Sequence, residues 1–142
     1  MAAFYPYLFF GGNCREAFTR YEEIFGGELF LMSMREAPEQ EGIPEDQMDK
    51  IIHAAIKFEN GALLMASDDP TSDSFGPVQG MQVTYSTDDV DDATRVFDAL
   101  SEGGKVTQPL IETFFSPGFG MTVDQFGTPW MIVTESPDEQ HR

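Results

Sequence analysis

The fold is decided by the stretch PYLFFGGNCREAFTRYEEIFGGELF, residues 6–30, which predicts a strand, a helix and a second strand. Tyr7–Phe10 is an apolar run of strand length, followed by two glycines. Asn13 stands at the expected N-cap, where its side chain can accept a backbone hydrogen bond. Apolar residues recur every three or four positions within Cys14–Phe25, which predicts one buried stripe. Gly26–Gly27 then ends the helix, because glycine adopts left-handed conformations without a Cβ penalty.

The same succession of elements recurs in the second half of the chain. Met81–Ser86 predicts a strand, Asp88 or Asp89 the cap, and Val90–Leu100 an amphipathic helix. Gly103–Gly104 corresponds to the first glycine pair, and another strand begins directly after it. The two halves therefore indicate an internal duplication.

Besides Tyr7–Phe10 and Met81–Ser86, the predicted pattern contains six strands. They are expected at Glu28–Met34, Ile51–Phe58, Ala62–Ser67, Lys105–Ile111, Phe119–Val123 and Pro129–Thr134. Each half is then a βαβββ module, 4–68 and 80–134, joined by 69–79 within a single domain, 1–142. One helix covers only one face of four strands, so we expect two sheets to face each other around a cavity. The predicted class is α+β, with a curved, half-barrel mixed sheet. Residues 35–50 form an acidic surface loop to which the sequence assigns no role.

Composition limits the partners and the location. Eight basic and 25 acidic residues give a net charge of −17, which repels nucleic acids and anionic membranes. We therefore expect neither as a partner, and a neutral or cationic ligand is favoured. The chain has one cysteine, no run of 18 apolar residues and no basic leader with an apolar core. These features predict a cytoplasmic protein.

Three motifs carry a resemblance to a known superfamily: PYLFFGGNCREAFTRYEEIFGGE, IIHAAIKFENGALLMASDD and DQFGTPWMI. From about Phe4 to Thr134 the chain resembles the vicinal-oxygen-chelate proteins, which include glyoxalases, bleomycin-resistance proteins and extradiol dioxygenases. It is most similar to the PhnB-like branch, often labelled 3-demethylubiquinone methyltransferase-like. The resemblance implies the glyoxalase/bleomycin-resistance fold and a homodimer. The sequence shows no glycine-rich strand-to-helix loop of the kind that holds S-adenosylmethionine.

The resemblance also implies where a metal ion would bind. Metalloenzymes of the superfamily hold a divalent ion with four side chains, typically two His and two Glu. The corresponding positions in this chain are Pro6, Met65, Gln82 and Met131. Zinc and similar ions prefer imidazole, thiolate or carboxylate ligands, so we expect neither a metal site nor a cofactor. A metal held by His53 with carboxylates remains an alternative.

The candidate ligand site combines these positions with their neighbours. It comprises Pro6, Leu8, His53, Met65, Gln82, Thr84 and Met131. The two polar members, Gln82 and Thr84, are suited to orient a ligand, and the apolar members to bury it. His53 alternates with Ala54 and Ile56, so it is expected on the face away from the helix. It is the candidate general base or ligand anchor, although a structural hydrogen bond is the alternative.

Several other residues have competing interpretations. Cys14 begins a helix, where the dipole favours a reactive thiolate, but no histidine in the sequence is placed to serve as its base. Three carboxylates lie at strand ends beside turns: Asp68, Asp69 and Asp124. Such carboxylates usually accept backbone hydrogen bonds and stabilise the turn, and a catalytic pair is the alternative. Four aromatic residues have two interpretations: they line a pocket for a flat ligand, or they fill the core. They are Phe114, Phe115, Phe119 and Trp130.

The sequence predicts a PhnB-like protein that binds a small, partly apolar molecule in a sheet-lined cavity without the usual divalent metal. One alternative is a metal-dependent glyoxalase, lyase or dioxygenase with substitute ligands. Another is a drug-sequestering protein of the bleomycin-resistance type. Whether any reaction is catalysed is left open.

Overall fold

The computed structural model describes residues 2–37, 44–69 and 78–135, and the chain divides into two compact units, Met1–Phe75 and Gly76–Arg142. The elements of the first unit are β1 (Tyr7–Phe10), α1 (Cys14–Phe25), β2 (Glu28–Ser33), a short 3₁₀ helix (Glu45–Gln47), β3 (Ile51–Lys57) and β4 (Leu63–Asp68). Those of the second are β5 (Val83–Thr87), α2 (Val90–Ser101), β6 (Lys105–Ile111), β7 (Phe119–Val123) and β8 (Pro129–Thr134).

Both units have the same topology. The strand order is β1-β4-β3-β2 in the first sheet and β5-β8-β7-β6 in the second. In each sheet the first and last strands of the unit pair in parallel, and the other neighbours are antiparallel. The α+β class with two βαβββ modules is therefore confirmed. The organisation of 4–68 and 80–134 as one domain stays a prediction, as does the cavity.

Each helix buries its apolar stripe, as the periodicity predicts. The buried positions of α1 are Cys14, Ala17, Phe18, Tyr21 and Ile24, and those of α2 are Ala93, Val96, Phe97 and Leu100. The ring of Phe18 lies 6.3 Å from that of Phe10 in β1, so the even-numbered residues of β1 face α1. Burying one large apolar side chain contributes about 1.5–3 kcal/mol, so these stripes hold each helix on its sheet.

The start of α1 differs from the prediction in one respect. Asn13 occupies the N-cap position, but its side chain makes no capping hydrogen bond. The carboxylate of Asp68, at the end of β4, instead accepts the backbone N–H groups of Gly12 (2.9 Å) and Cys14 (3.0 Å). A buried carboxylate from a distant strand therefore replaces the local cap. In α2 the predicted local cap does form, because Asp89 accepts the N–H of Asp91 at 2.9 Å.

The duplicated glycine pairs serve two purposes. Gly26 and Gly103 have φ values of 76° and 75°, in the left-handed region that ends a helix. A Cβ atom on Gly27 would lie 2.8 Å from the carbonyl oxygen of Lys57, and one on Gly104 would lie 2.1 Å from that of Val123. The second glycine of each pair thus lets the chain pass close to a neighbouring strand. Among the described residues, neither helix is long and apolar enough to span a bilayer.

Candidate functional site

In the first sheet, one face packs on α1 and the other is open. Ala54 and Ile56 of β3 are buried on the helix side, while His53 and Lys57 alternate to the open side, as predicted. Strand register extends this open face across the sheet, since Tyr7 pairs with Met65, Met65 with Ala55, and Ala55 with Phe30. His53 and Met65, two predicted site residues, therefore lie on the same face.

Aromatic rings surround His53 on this open face. The centroid of its imidazole is 6.1 Å from the ring of Tyr7 and 6.2 Å from that of Phe30, and Tyr7 lies 5.2 Å from Phe9. Tyr7, Phe9 and Phe30 remain 38%, 57% and 49% exposed. Within the described residues, the imidazole makes no hydrogen bond. We call Tyr7, Phe9, Phe30 and His53 the aromatic cluster.

Sequence reasoning missed the three aromatic members of this cluster. The signal was present, because alternation within YLFF places Tyr7 and Phe9 opposite Leu8 and Phe10. Leu8 belongs on the buried side with α1, so its assignment to the ligand site with His53 is corrected here. Pro6 lies just before β1 and accepts the N–H of Met65 through its carbonyl oxygen, at 3.2 Å.

The second unit gathers the other three predicted residues on one face. Thr84 of β5 pairs with Met131 of β8, and Met131 pairs with Met121 of β7. The side-chain amide of Gln82 donates a 3.1 Å hydrogen bond to the sulfur of Met121. A Cβ atom on Gly120 would meet Phe97 of α2 at 2.7 Å, so Met121 and its same-face neighbours point away from the helix. This open face offers an amide, a hydroxyl and two thioethers.

Two buried carboxylates have structural roles, as interpreted from their positions beside turns. Asp68 also accepts the N–H of Ile51 at 2.9 Å. Asp124 accepts the N–H groups of Phe126 (2.9 Å) and Thr128 (3.0 Å), and its other oxygen accepts the indole N–H of Trp130 at 2.9 Å. Trp130 is therefore a core residue and does not line an open face.

The thiol of Cys14 is buried. Burial, followed by the nearby negative charge of Asp68, raises its pKa to about 12, although the positive charge of Arg15 opposes the shift. At neutral pH the group is a protonated thiol, and the thiolate is the nucleophilic form. Any favourable effect of the helix dipole is outweighed by desolvation.

Comparison with known proteins identifies the family. The family described as 3-demethylubiquinone-9 3-methyltransferase matches residues 2–133. This chain belongs to that family. Protein YjdN of Escherichia coli (strain K12) is 32% identical over 145 residues, covering 94% of this chain and 97% of YjdN. The crystal structure of protein PA1353 from Pseudomonas aeruginosa is 39% identical, covers 96% of this chain and 99% of its own, and has a TM-score of 0.86.

The glyoxalase/bleomycin-resistance fold that the sequence motifs predicted is confirmed, and the family match agrees with the resemblance to the PhnB-like branch. FosX from Listeria monocytogenes, a fosfomycin resistance protein crystallised with Mn(II) and 1S,2S-dihydroxypropylphosphonic acid, superposes with a TM-score of 0.65. It covers 100% of this chain and 99% of its own at 7% identity. That similarity concerns the fold alone.

The side chains at the four positions that the resemblance assigns to a divalent metal ion are not usual ligands of such an ion. The backbone N–H of Met65 donates a hydrogen bond to the carbonyl oxygen of Pro6, and the side-chain amide of Gln82 donates one to the sulfur of Met121. Around His53 the ring neighbours are Tyr7 and Phe30, which are not metal ligands of this kind. No three His, Cys, Asp or Glu side chains converge on a common point in the part of the chain that the structure describes.

Proposed function

We propose that this PhnB-like protein binds a small, partly apolar molecule on the open faces of its sheets, without a divalent metal ion. The observation that carries the proposal is the aromatic cluster. Its three apolar rings remain exposed beside an imidazole instead of joining the core under α1. A contiguous exposed apolar patch of this kind is typical of a ligand or partner surface.

The chemistry of the cluster suits a ligand with both apolar and polar parts. Flat rings bury an apolar surface and stack on conjugated groups, each contact contributing about 0.5–1.5 kcal/mol beyond area burial. An imidazole in its neutral form has one donor and one acceptor nitrogen, so the side chain of His53 can anchor either kind of polar group. In the second sheet, the exposed Thr84 hydroxyl and the half-buried Gln82 amide supply further polar contacts. His53 is also the candidate general base for a reaction at this face.

Methyl transfer, which the family's description names, is not part of the proposal. In the first unit, the N–H groups of Gly12 and Cys14 at the start of α1 are already bound by the carboxylate of Asp68. A helix N-terminus filled by a protein carboxylate cannot bind the anionic groups of a cofactor. The turn between β1 and α1 is therefore a structural turn.

A second copy of the chain is also proposed to associate with this one, as a homodimer of two-fold symmetry in the cytoplasm. Support comes from two exposed apolar side chains outside the aromatic cluster, Val106 and Ile111 of the edge strand β6. Edge strands and apolar surfaces are commonly covered by a symmetric partner. Sedimentation velocity at micromolar concentration should give the mass of a dimer, and a monomer would contradict this part of the proposal.

Titration with Nile red, a neutral and partly apolar dye, tests ligand binding. Saturable binding is expected, and Phe30→Ala should weaken it about tenfold, which corresponds to about 1.4 kcal/mol. His53→Ala should weaken it less, since it removes one polar anchor. Phe4→Ala is the matched control, because Phe4 is an exposed aromatic outside the cluster.

The metal-dependent alternative is tested in the same assay. Manganese, nickel, zinc or iron(II) should change neither the dye affinity nor the midpoint of thermal unfolding. An ion that bound only the folded state would raise that midpoint. A metal-dependent rise would favour the lyase or dioxygenase alternative. Equal affinities for wild type, Phe30→Ala and Phe4→Ala would refute the aromatic cluster as the site.

A further inference from the structure

The connection between β6 and β7 presents a second set of aromatic rings. Phe114 is 100% exposed and Phe115 is 39% exposed. Their ring centroids are 5.2 Å apart at an interplanar angle of 83°, and Phe115 lies 5.1 Å from Phe119 at 73°. These are edge-to-face contacts. We call Phe114, Phe115 and Phe119 the aromatic ladder.

The loop that carries the ladder is held by buried hydrogen bonds. Ser116 is buried, and its hydroxyl group contacts the carbonyl oxygens of Gly118 (2.9 Å) and Thr134 (2.6 Å). The N–H of Thr113 donates to the carbonyl of Ser116 at 2.8 Å, and the N–H of Ser116 donates to the Thr113 hydroxyl at 3.1 Å. These hydrogen bonds hold the backbone of the loop that carries the exposed ring of Phe114.

The ladder continues onto the open face of the second sheet. Phe119 and Met121 alternate with Gly120, which faces α2, so both point away from the helix. Phe119 pairs with Val133, and Met121 with Met131. A ligand on the ladder therefore lies beside the face that also carries Gln82 and Thr84.

The charge of this region selects the ligand class. From Val106 to Glu135 the exposed charged residues are Glu112 and Glu135, and the sequence of this segment contains no Lys, Arg or His. The chain as a whole carries a net charge of −17. Anionic rings are repelled here, and the faces of aromatic rings attract cations. A ring that is both flat and positively charged uses stacking and charge together.

We infer that the aromatic ladder binds a planar heteroaromatic cation, which stacks on Phe114 beside the open face of the second sheet. The inference rests on the proposed function, since it names the ligand class for one of the two open faces. The ring of Phe114 supplies the stacking surface, and Phe115 and Phe119 fix its orientation.

Fluorescence titration of the full chain with N-methylacridinium tests the inference. Phe114→Ala should weaken binding about tenfold, because stacking on one aromatic side chain contributes about 1–3 kcal/mol. Phe114→Tyr retains the ring and should bind as the wild type does. Phe4→Ala removes an equally exposed phenylalanine elsewhere and should have no effect. Since Phe114 is fully exposed, the urea midpoint of Phe114→Ala should match that of the wild type.

Two further probes, both tested on the wild-type chain, separate the contribution of the flat ring from that of the positive charge. Acridine at pH 8 has the same ring system without the charge and should bind about threefold more weakly, as expected for an exposed cation–π contact. Tetraethylammonium has the charge without the flat ring and should not displace N-methylacridinium. Equal affinity for acridine and N-methylacridinium would overturn the inference, as would displacement by tetraethylammonium.

The outcomes distinguish this inference from the proposed function. If Nile red binds in a Phe30-dependent way while N-methylacridinium binds equally to wild type and Phe114→Ala, only the inference fails. If neither dye binds, both fail. A change in sedimentation of Phe114→Ala with no change in dye affinity would identify the ladder as a subunit contact and also overturn the inference.

Discussion

The backbone N–H of Cys14 donates a 3.0 Å hydrogen bond to Oδ1 of Asp68, 54 residues later in the sequence. The same carboxylate accepts the N–H groups of Gly12 and Ile51. One buried side chain at the end of β4 therefore joins the turn before α1 to the start of β3. These hydrogen bonds hold the start of α1 at the end of β4.

Asp68→Ala should destabilise the protein strongly. It leaves three backbone donors without their acceptor, which should lower the free energy of unfolding by about 3 kcal/mol or more. Urea unfolding followed by far-ultraviolet circular dichroism, which reports on the helices and strands of both units, measures the loss. Glu59→Ala is the control, because Glu59 is an exposed carboxylate in the hairpin turn of the same unit. Equal midpoints for the two variants would contradict the assigned role.

The Cys14 thiol should resist modification in the folded protein. With a pKa raised to about 12 by burial and by Asp68, almost none of the group is thiolate at pH 7.5. Ellman's reagent should release no colour from the native chain, and one equivalent after denaturation in guanidinium. Rapid modification of the native chain would show that the thiol is accessible and ionised.

The same pKa shift predicts a loss of stability at alkaline pH. The folded-state pKa lies above the unfolded value, so the native chain retains a proton that the unfolded chain releases. The stabilising contribution is complete below about pH 9 and falls as pH rises towards 12. Cys14→Ser removes this titration. Because only the wild type loses this contribution as pH rises, the difference in the free energy of unfolding between the two proteins should shrink with increasing pH. A constant difference from pH 7 to 10.5 in urea unfolding would contradict the shift.

Gly104→Ala should be more destabilising than Gly61→Ala. A Cβ at residue 104 would lie 2.1 Å from the carbonyl oxygen of Val123, and backbone atoms cannot move aside as a flexible side chain can. The expected loss is about 3 kcal/mol, the upper end for overpacking. Gly61 has φ +88° with open space around it, so alanine there should cost about 1–2 kcal/mol in backbone strain. Thermal unfolding of both variants gives the comparison, and a larger loss for Gly61→Ala would refute the close approach.

Most element boundaries were predictable because their signals are local. Tyr7–Phe10, Cys14–Phe25 and Phe119–Val123 occur where the apolar patterns place them. The cap of α1 was not predictable in this way. Asn13 has the right residue type and position, yet Asp68 forms the hydrogen bonds, because a buried carboxylate from β4 reaches the same N–H groups.

The candidate site was predicted only in part. Alternation along β3 placed His53 on the open face, and register brings Met65 to that face as well. The assignment of Leu8 to the site failed because the pattern YLFF does not by itself show which alternate residues face the helix. The exposure of Phe114 was also not predictable from the sequence, since a phenylalanine near a strand end is expected in the core.

The sequence by itself determined two βαβββ modules, since hydrophobic period, caps and glycine pairs act over a few neighbouring residues. Only the tertiary structure decided which rings surround His53, which carboxylate holds the start of α1, and that Phe114 faces solvent. These features depend on strand register and on contacts between residues far apart in the chain, and such contacts form only when the helix has packed on its sheet.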